Sequence, residues 1–242
     1  GGGLLIISRF PIVASEFMPY TRGNNEDFVV LKGVLYAQIQ ISSQRLHLFH
    51  THLFTGQNNH VKSMAKRAEG LMMWRRFIED TFAKYGWEEG EKCLILGDMN
   101  VHTEDQRMGG DPLAENPALV RYPHLLRKGM LNEYESMVCI LSHNGNDELV
   151  DLVYQEYQDH PNTTTGSIYD GTGEYSLDYI FDFIPKSHAI SREKSQRKGA
   201  LSIVPHSVMI EDFEVEDRPY AKLSDHMGII VELEYKAENA TA

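Results

Sequence analysis

The segment between residues 46 and 100 holds a strand, a long helix and a second strand, and this order constrains the fold most strongly. Residues 46–53 (LHLFHTHL) and 93–100 (CLILGDMN) have the composition of strands. Between them, apolar residues recur at helical spacing from residue 61 to residue 82. A strand, a helix and a strand in succession form a crossover unit, which favours a mixed α/β architecture.

Further strands are expected on both sides of this unit, from short runs of β-forming residues bounded by turn residues. These runs lie at residues 29–41, 176–183, 201–210 and 228–235. A turn of Ser42, Ser43 and Gln44 would join the first run to residues 46–53 as a hairpin. Pro205 would break the third run into a strand pair, and Pro11 limits residues 8–12 to a strand end or edge.

One domain over residues 1–242 is expected, because strands and helices alternate along the chain without a linker. The chain is 42% hydrophobic, which is enough for one sizeable core. Its two cysteines, Cys93 and Cys139, are too few for a disulfide framework. No apolar run is long enough to span a membrane. These features are typical of a soluble chain; they leave the compartment open and are compatible with peripheral membrane contact.

Charge and missing motifs argue against several function classes. The net charge of -12 disfavours general nucleic-acid binding unless a local basic groove exists. The sequence contains neither a Gly-x-Ser-x-Gly elbow nor a glycine-rich phosphate loop. An acyl hydrolase and a nucleoside triphosphatase are therefore disfavoured.

Asp98 and Asn100 end the apolar run LILGDMN, where a rigid strand would position side chains at an open loop. Residues two apart on a strand point to the same side. A carboxylate can orient or deprotonate water, and a carboxamide can donate to an oxyanion without adding charge. The alternative is that Asp98 only caps a turn.

Three histidines, His47, His50 and His52, lie close together in the LHLFHTHL strand. His50 and His52 share a strand face, and neutral imidazoles at this spacing can ligate zinc. All three cannot share one face, which counts against a zinc site. Surface or core histidines are the alternative.

Asp178 and the pair Asp225–His226 complete the candidates. Asp178 lies among apolar residues in LDYIF and needs a partner, because an unpaired buried charge is very costly. A histidine is a natural partner. Asp225 and His226 place an acid beside a base that titrates near neutral pH, just before a predicted strand.

The ordered set SRFPI, THL, GDMN, LDYIF and SDH resembles the endonuclease/exonuclease/phosphatase superfamily. The stretches GGGLLIISRFPI, HTHLFTGQ and LGDMN are most similar to its neutral sphingomyelinase branch. The resemblance implies a two-sheet α/β sandwich of the DNase-like four-layer type. It also implies a Mg²⁺-dependent phosphodiesterase, with Mn²⁺ as an alternative cofactor, that attacks with water and forms no covalent intermediate.

The resemblance also implies a role for each matched residue. Asp98 would orient or deprotonate the water and contribute to the metal site, and Asp225 would belong to the metal shell. Asn100 would bind a phosphoryl oxygen. His226, held by Asp178, would act as general base or phosphate stabiliser. The remaining matched residue, His52, would stabilise the phosphate or protonate the leaving group.

The chain also departs from the superfamily pattern. In the superfamily, a strand ending in Asn and a metal-binding Glu precede the SRFPI motif, whereas here the motif starts at Ser8. We therefore expect an incomplete domain that lacks its N-terminal strands and needs a complementing segment or chain. Insertions are expected near residues 103–175 and 186–223.

Four functions remain open on these grounds. The first is a sphingomyelinase-like phosphodiesterase acting on a phospholipid at a membrane surface. The basic residues 192–198 would either contact lipid phosphates or form a solvated loop, and a solvated loop is favoured. The second is a nuclease, or an inositol- or sugar-phosphate phosphatase, of the same superfamily. The third is a non-catalytic binding subunit or fragment. The fourth is a zinc hydrolase built on the three histidines of residues 46–53.

Overall fold

The computed structural model describes residues 3–21, 30–55, 60–103, 133–165, 174–186, 199–215, 217 and 222–237. The strands are β1 (Ile12–Pro19), β2 (Gly33–Ile41), β3 (Gln44–His52), β4 (Lys92–Asp98), β5 (Glu148–Asp151), β6 (Asp178–Ile184), β7 (Ala200–Ile203), β8 (Met209–Glu211), β9 (Gly228–Ile230) and β10 (Leu233–Lys236). The helices are α1 (His60–Tyr85), α2 (Glu133–Leu141) and α3 (Leu152–Tyr157).

A six-stranded sheet in the order β1-β2-β3-β4-β6-β5 forms the centre of the molecule. Strands β3 and β4 are parallel neighbours, and α1 connects them. This arrangement confirms the predicted crossover unit. The other neighbouring pairs in this sheet are antiparallel. Consequently the C-terminal ends of β3 and β4 lie beside the N-terminal end of β6.

The predicted hairpin joins β2 to β3, with a turn one residue shorter than expected. Gln44 pairs with Ile41 and already belongs to the ladder, so the turn consists of Ser42 and Ser43. Ser42 takes a left-handed φ of 53° to close it. At the other edge of this hairpin, β1 begins directly after Pro11, which agrees with the edge position that the proline allows.

Alternate residues of the sheet face two different layers. On one side, Phe49, Ile95 and Phe181 pack with Trp74 and Ile78 of α1 in one core cluster. On the other side, a second cluster joins the sheet to the small strands β7–β10. The large sheet is therefore buried on both faces, as in an α/β sandwich.

The second layer consists of two antiparallel pairs, β7 with β10 and β8 with β9. A hydrogen bond from the Val204 N–H to the Glu232 carbonyl (2.9 Å) continues the first pair towards the second. Pro205 lies between β7 and β8, at the position where the sequence predicts the break. The predicted strand at residues 228–235 is likewise divided, into β9 and β10.

Helix α2 is fastened to α1 by a buried ion pair that the sequence does not reveal. The helical pattern places Arg67 on the exposed surface of α1, but the side chain is only 3% exposed. Its Nε and Nη2 atoms donate to the two carboxylate oxygens of Glu133 at 2.6 and 2.9 Å. The surface expectation is wrong because α2, 66 positions further along the chain, covers this part of α1.

Part of the predicted insertion at residues 103–175 belongs to the sandwich itself. Residues 133–165 supply α2, the edge strand β5, and α3. The basic residues 192–198 and all of residues 104–132 lie outside the described part of the chain. Among the described helices, none is long and apolar enough to cross a membrane.

Candidate active site

Three polar side chains form a row across the end of the central sheet. His52 ends β3, Asp98 ends β4, and Asp178 begins β6. The register pairs His52 with Asp98 and Asp98 with Asp178, so their side chains point to the same face. That face is the one covered by the second strand layer.

His226 reaches this row from the second layer, just before β9. Its Nδ1 atom lies 2.8 Å from Oδ2 of Asp178. Its Nε2 atom lies 4.0 Å from Oδ2 of Asp98, and the same oxygen is 3.3 Å from Nε2 of His52. Asp98 therefore lies between two imidazoles, and Asp178 orients one of them.

Thr163 connects the row to the loop that carries His226. Its hydroxyl donates to Oδ2 of Asp178 at 2.8 Å, and its carbonyl accepts the N–H of Met227 at 2.8 Å. Thr163 is completely buried. The sequence does not reveal its position, because no local pattern links a threonine to an aspartate 15 residues later.

Asn100 lies beyond the end of β4, so the expectation that it shares a strand face with Asp98 is wrong. It has a left-handed φ of 50°, and its N–H donates to Oδ1 of Asp98 at 2.9 Å. This is the Asx-type turn that the sequence offered as the alternative. The carboxamide of Asn100 donates to the Leu53 carbonyl at 3.2 Å. Asp98 thus caps a turn and also faces the site.

Lys32 is a second residue near Asp98 whose position the sequence does not reveal. It is 5% exposed, and its Nζ donates to the Leu53 carbonyl at 2.8 Å, the same oxygen that Asn100 uses. A lysine next to the start of a strand is usually a surface residue, so the sequence around Lys32 does not indicate that it is buried. In the fold it is a buried cation whose charge acts on Asp98.

Gly97 allows β4 to reach the site. It has a φ of 134°, a conformation that side-chain-bearing residues rarely adopt. A Cβ atom there would lie 2.0 Å from the Thr51 carbonyl oxygen of the neighbouring strand. The glycine of the GDMN motif is therefore required by the close approach of β3 and β4.

The surroundings shift the pKa values of both central groups. Burial, followed by the neighbouring Asp178 charge, raises the pKa of Asp98 to about 6, against the opposing effect of His226. The hydrogen bond with Asp178 raises the pKa of His226 to about 9, against its burial. In the site without a metal, His226 is therefore protonated at neutral pH. The neighbouring carboxyl group of Asp98 titrates about one pH unit below neutrality.

Comparison with known proteins identifies the fold. A sphingomyelinase of Dictyostelium discoideum is 24% identical over 281 residues, which cover 94% of this chain and 60% of that protein. Sphingomyelinase C from Streptomyces griseocarneus matches with a TM-score of 0.53 at 17% identity, over 93% of this chain and 65% of that one. The chain has the fold of the endonuclease/exonuclease/phosphatase superfamily. This confirms the predicted fold class and the resemblance.

Other solved members of the superfamily are similar to the same extent. A double mutant of beta toxin from Staphylococcus aureus with bound magnesium ions gives a TM-score of 0.52 at 18% identity, covering 96% of this chain and 66% of that one. D. rerio TDP2 complexed with single strand DNA product gives 0.51 at 16%, covering 93% and 69%. No protein-family model matches the sequence. The chain spans about 60% of the length of its curated relative.

The three histidines of β3 do not form a metal site. His47 faces the helical side, where it is fully buried and contacts the Tyr36 hydroxyl at 3.0 Å and Glu91 at 3.2 Å. His50 and His52 face the opposite side, and burial lowers the pKa of His50. The zinc alternative is contradicted by this division, because the strand separates His47 from the other two.

The donors near Asp98 suit a magnesium ion but form only part of a shell. Carboxylate and amide oxygens, such as those of Asp98, Asn100 and Asp225, are the ligands that Mg²⁺ prefers. Asp225 is exposed and close enough to His226 for its charge to raise the pKa of that imidazole. In the described ranges, no group of three or more His, Cys, Asp or Glu side chains is placed to hold a metal ion.

Proposed function

We propose that this chain forms most of the active site of a metal-dependent phosphodiesterase that hydrolyses sphingomyelin to ceramide and phosphocholine. The observation that carries the proposal is the row of His52, Asp98 and Asp178 with His226 above it. The row combines carboxylates with imidazoles at one open sheet end. Phosphoryl transfer needs positioned charge around developing negative oxygens, and this arrangement offers it.

In the proposed reaction, the carboxylate and the two imidazoles of the row have separate roles. Asp98, with a pKa of about 6, is ionised at neutral pH and can orient and deprotonate the attacking water through Oδ2. His226, protonated and held by Asp178, is suited to stabilise the phosphoryl oxygens. His52, on the other side of Oδ2, can stabilise the phosphate or give a proton to the leaving ceramide oxygen.

Magnesium is the proposed cofactor, with manganese as its substitute. A bound Mg²⁺ would supply positive charge to the phosphate and lower the pKa of a bound water. Asp98 and Asp225 are the described residues that we expect to hold it. A further acidic ligand from a segment before Ser8 remains a prediction of the superfamily resemblance.

Two observations support a lipid over a nucleic acid as substrate. The curated relative is a sphingomyelinase, although the chain covers only 60% of its length. The net charge of -12 repels a phosphate backbone, whereas a zwitterionic headgroup carries no net charge to repel. A nuclease remains the second candidate, because TDP2 has the same fold and was solved with a single-stranded DNA product.

A matched pair of histidine variants tests the proposal. The natural full-length protein is assayed for phosphocholine release from sphingomyelin vesicles with Mg²⁺. His226→Asn removes the imidazole beside Asp98 and should lower kcat by about 100-fold or more, the usual contribution of a positioned acid or base. His206→Asn is the control: His206 is an exposed histidine at a left-handed φ that asparagine tolerates.

The control variant should keep the full rate. Equal rates for His226→Asn and the parent would remove the catalytic role from this cluster. Turnover of DNA or inositol phosphates without turnover of sphingomyelin would favour the other superfamily activities. No turnover of any phosphodiester, with a folded protein, would favour the non-catalytic binding subunit.

A further inference from the structure

A cavity of about 310 Å³ lies beside the candidate active site. Its described walls include His102, Asp159, His160, Glu174 and Tyr175. None of these residues has a role in the reaction proposed above. The volume is at the lower end of the range for small-molecule sites.

The cavity is connected to the catalytic row by the backbone on two sides. His102 follows Asn100 by two residues in the loop after β4. The Tyr175 carbonyl accepts the N–H groups of Thr163 and Thr164 at 2.8 and 3.0 Å. Thr163 in turn donates to Asp178, so the same threonine contacts both the cavity wall and the catalytic row.

The charge and the aromatic rings of the walls favour a cation. Two carboxylates, Asp159 and Glu174, give the cavity negative charge, and none of its described lining residues is Lys or Arg. His102 and Tyr175 add an edge-to-face aromatic pair, with ring centroids 4.7 Å apart at 89°. Aromatic faces combined with nearby negative charge are the usual way in which proteins bind quaternary ammonium groups.

The walls are held in place before any ligand arrives. His160 bonds Asp151 through Nε2 at 2.9 Å, and its ring packs on Tyr154 and Tyr134 at centroid distances of 5.1 and 4.8 Å. Asn162 donates to Glu174 at 3.1 Å and orients that carboxylate. A site with fixed walls loses little entropy when a ligand binds.

We propose that this cavity binds the trimethylammonium group of a choline headgroup while its phosphate lies at Asp98 and His226. The inference rests on the proposed phosphodiesterase function and adds the residues that select the headgroup. Glu174 supplies the compensating charge and Tyr175 the aromatic wall. A divalent metal fits less well, since the described residues hold no group of three metal-binding side chains here.

Kinetics with two substrates test the assignment in the natural full-length protein. One substrate is p-nitrophenyl phosphorylcholine, and the other is bis(p-nitrophenyl) phosphate, which lacks the ammonium group. Glu174→Gln keeps the acceptor for Asn162 and removes the charge. It should raise KM for the choline substrate by about 10-fold and leave the second substrate unchanged. Tyr175→Leu should act in the same direction, and Glu234→Gln, on β10 with a side chain 40% exposed, should affect neither.

A binding measurement separates this inference from the proposed function. Choline is titrated into the protein, and the ring signals of Tyr175 and His102 are followed by NMR. Choline-dependent shifts that Glu174→Gln weakens support the cavity assignment even if no phosphodiester is hydrolysed. Hydrolysis with equal effects of Glu174→Gln on both substrates, or an absence of choline-dependent shifts in the parent protein, overturns it.

Discussion

At the residue scale, the hydroxyl of Thr163 holds the site together. It donates to Asp178 and accepts the N–H groups of Leu177 and Asp178 at 3.0 and 3.1 Å. Asp178 in turn orients His226. In the proposed reaction, the Thr163 hydroxyl would therefore act through the carboxylate that it positions.

Thr163→Val removes the hydroxyl while keeping the shape of the side chain. We expect kcat for phosphodiester hydrolysis to fall by about 10-fold, since a hydrogen bond to a charged group contributes about 1.5–3 kcal/mol. Thr163→Ser restores the hydroxyl and should recover most of the rate. An unchanged rate in Thr163→Val, or a Thr163→Ser variant as slow as Thr163→Val, would contradict a role for the hydrogen bond.

Glu91 gives a pH dependence that does not involve the active site. Burial alone would raise the pKa of its carboxyl, but hydrogen bonds from His47, Arg45 and the Glu88 N–H hold it below its ordinary value. The ordinary pKa of this carboxyl is 4.5. Because the pKa is lower in the folded state, the ionised carboxylate stabilises the protein above pH 4.5. This contribution is lost as the pH falls through the folded-state pKa.

Glu91→Gln should therefore cost about 3 kcal/mol at pH 7, because it leaves the Arg45 charge buried with weaker partners. The difference from the parent should shrink as the pH falls below 4.5 and through the lowered folded-state pKa, where the parent carboxyl also becomes neutral. Urea unfolding at a series of pH values measures both free energies. A difference that stays constant from neutral to acid pH would contradict the assigned ion pair.

The site residues show what a sequence can reveal at this scale. Asp98, Asp178 and His226 stand out as candidates in the sequence because each lies at a strand end within a recognisable short motif, and the fold brings them together. Lys32 and Thr163 do not stand out, because their importance comes from partners that the fold brings together. Asn100 was found, but its side chain was placed on the wrong face, since the strand ends two residues earlier than its pattern suggests.

At the element scale, the crossover and the hairpin were predicted because neighbouring segments determine them. The helix was predicted at residues 61–82, close to the observed α1 (His60–Tyr85). The edge strand β5 was not foreseen. Its Glu148–Asp151 segment is only four residues long, and its register with β6 depends on long-range pairing.

The contact between α1 and α2 provides the test at this scale. Arg67→Met leaves Glu133, whose side chain is 13% exposed, without its bidentate partner. We expect a loss of about 3 kcal/mol in the free energy of unfolding, the lower end of the range for breaking a buried pair. Arg76→Met, at an exposed position of the same helix, should change stability by less than about 0.5 kcal/mol.

Urea unfolding of both variants gives the two values under the same conditions. A similar loss in the Arg67 and Arg76 variants would mean that helix propensity, and not the ion pair, determines the effect. A loss confined to Arg67→Met would show that α2 is fastened to α1 by this pair.

At the scale of the whole molecule, the candidate site lies where the two strand layers of the sandwich meet. The large sheet supplies His52, Asp98 and Asp178, and the second layer supplies His226. The large sheet pairs Asp98 with His52, but the imidazole that Asp178 orients comes from the second layer. Sequence motifs identified the members of both layers, but only the packing of the layers shows which atoms face each other.

The product formed from sphingomyelin tests the central claim most directly. The natural full-length protein is incubated with sphingomyelin vesicles and Mg²⁺, and ³¹P NMR follows the phosphorus. We expect the phosphodiester signal to be replaced by that of phosphocholine. When EDTA removes the Mg²⁺, we expect the sphingomyelin signal to remain unchanged. An unchanged sphingomyelin signal under conditions in which the same protein cleaves DNA would contradict the account.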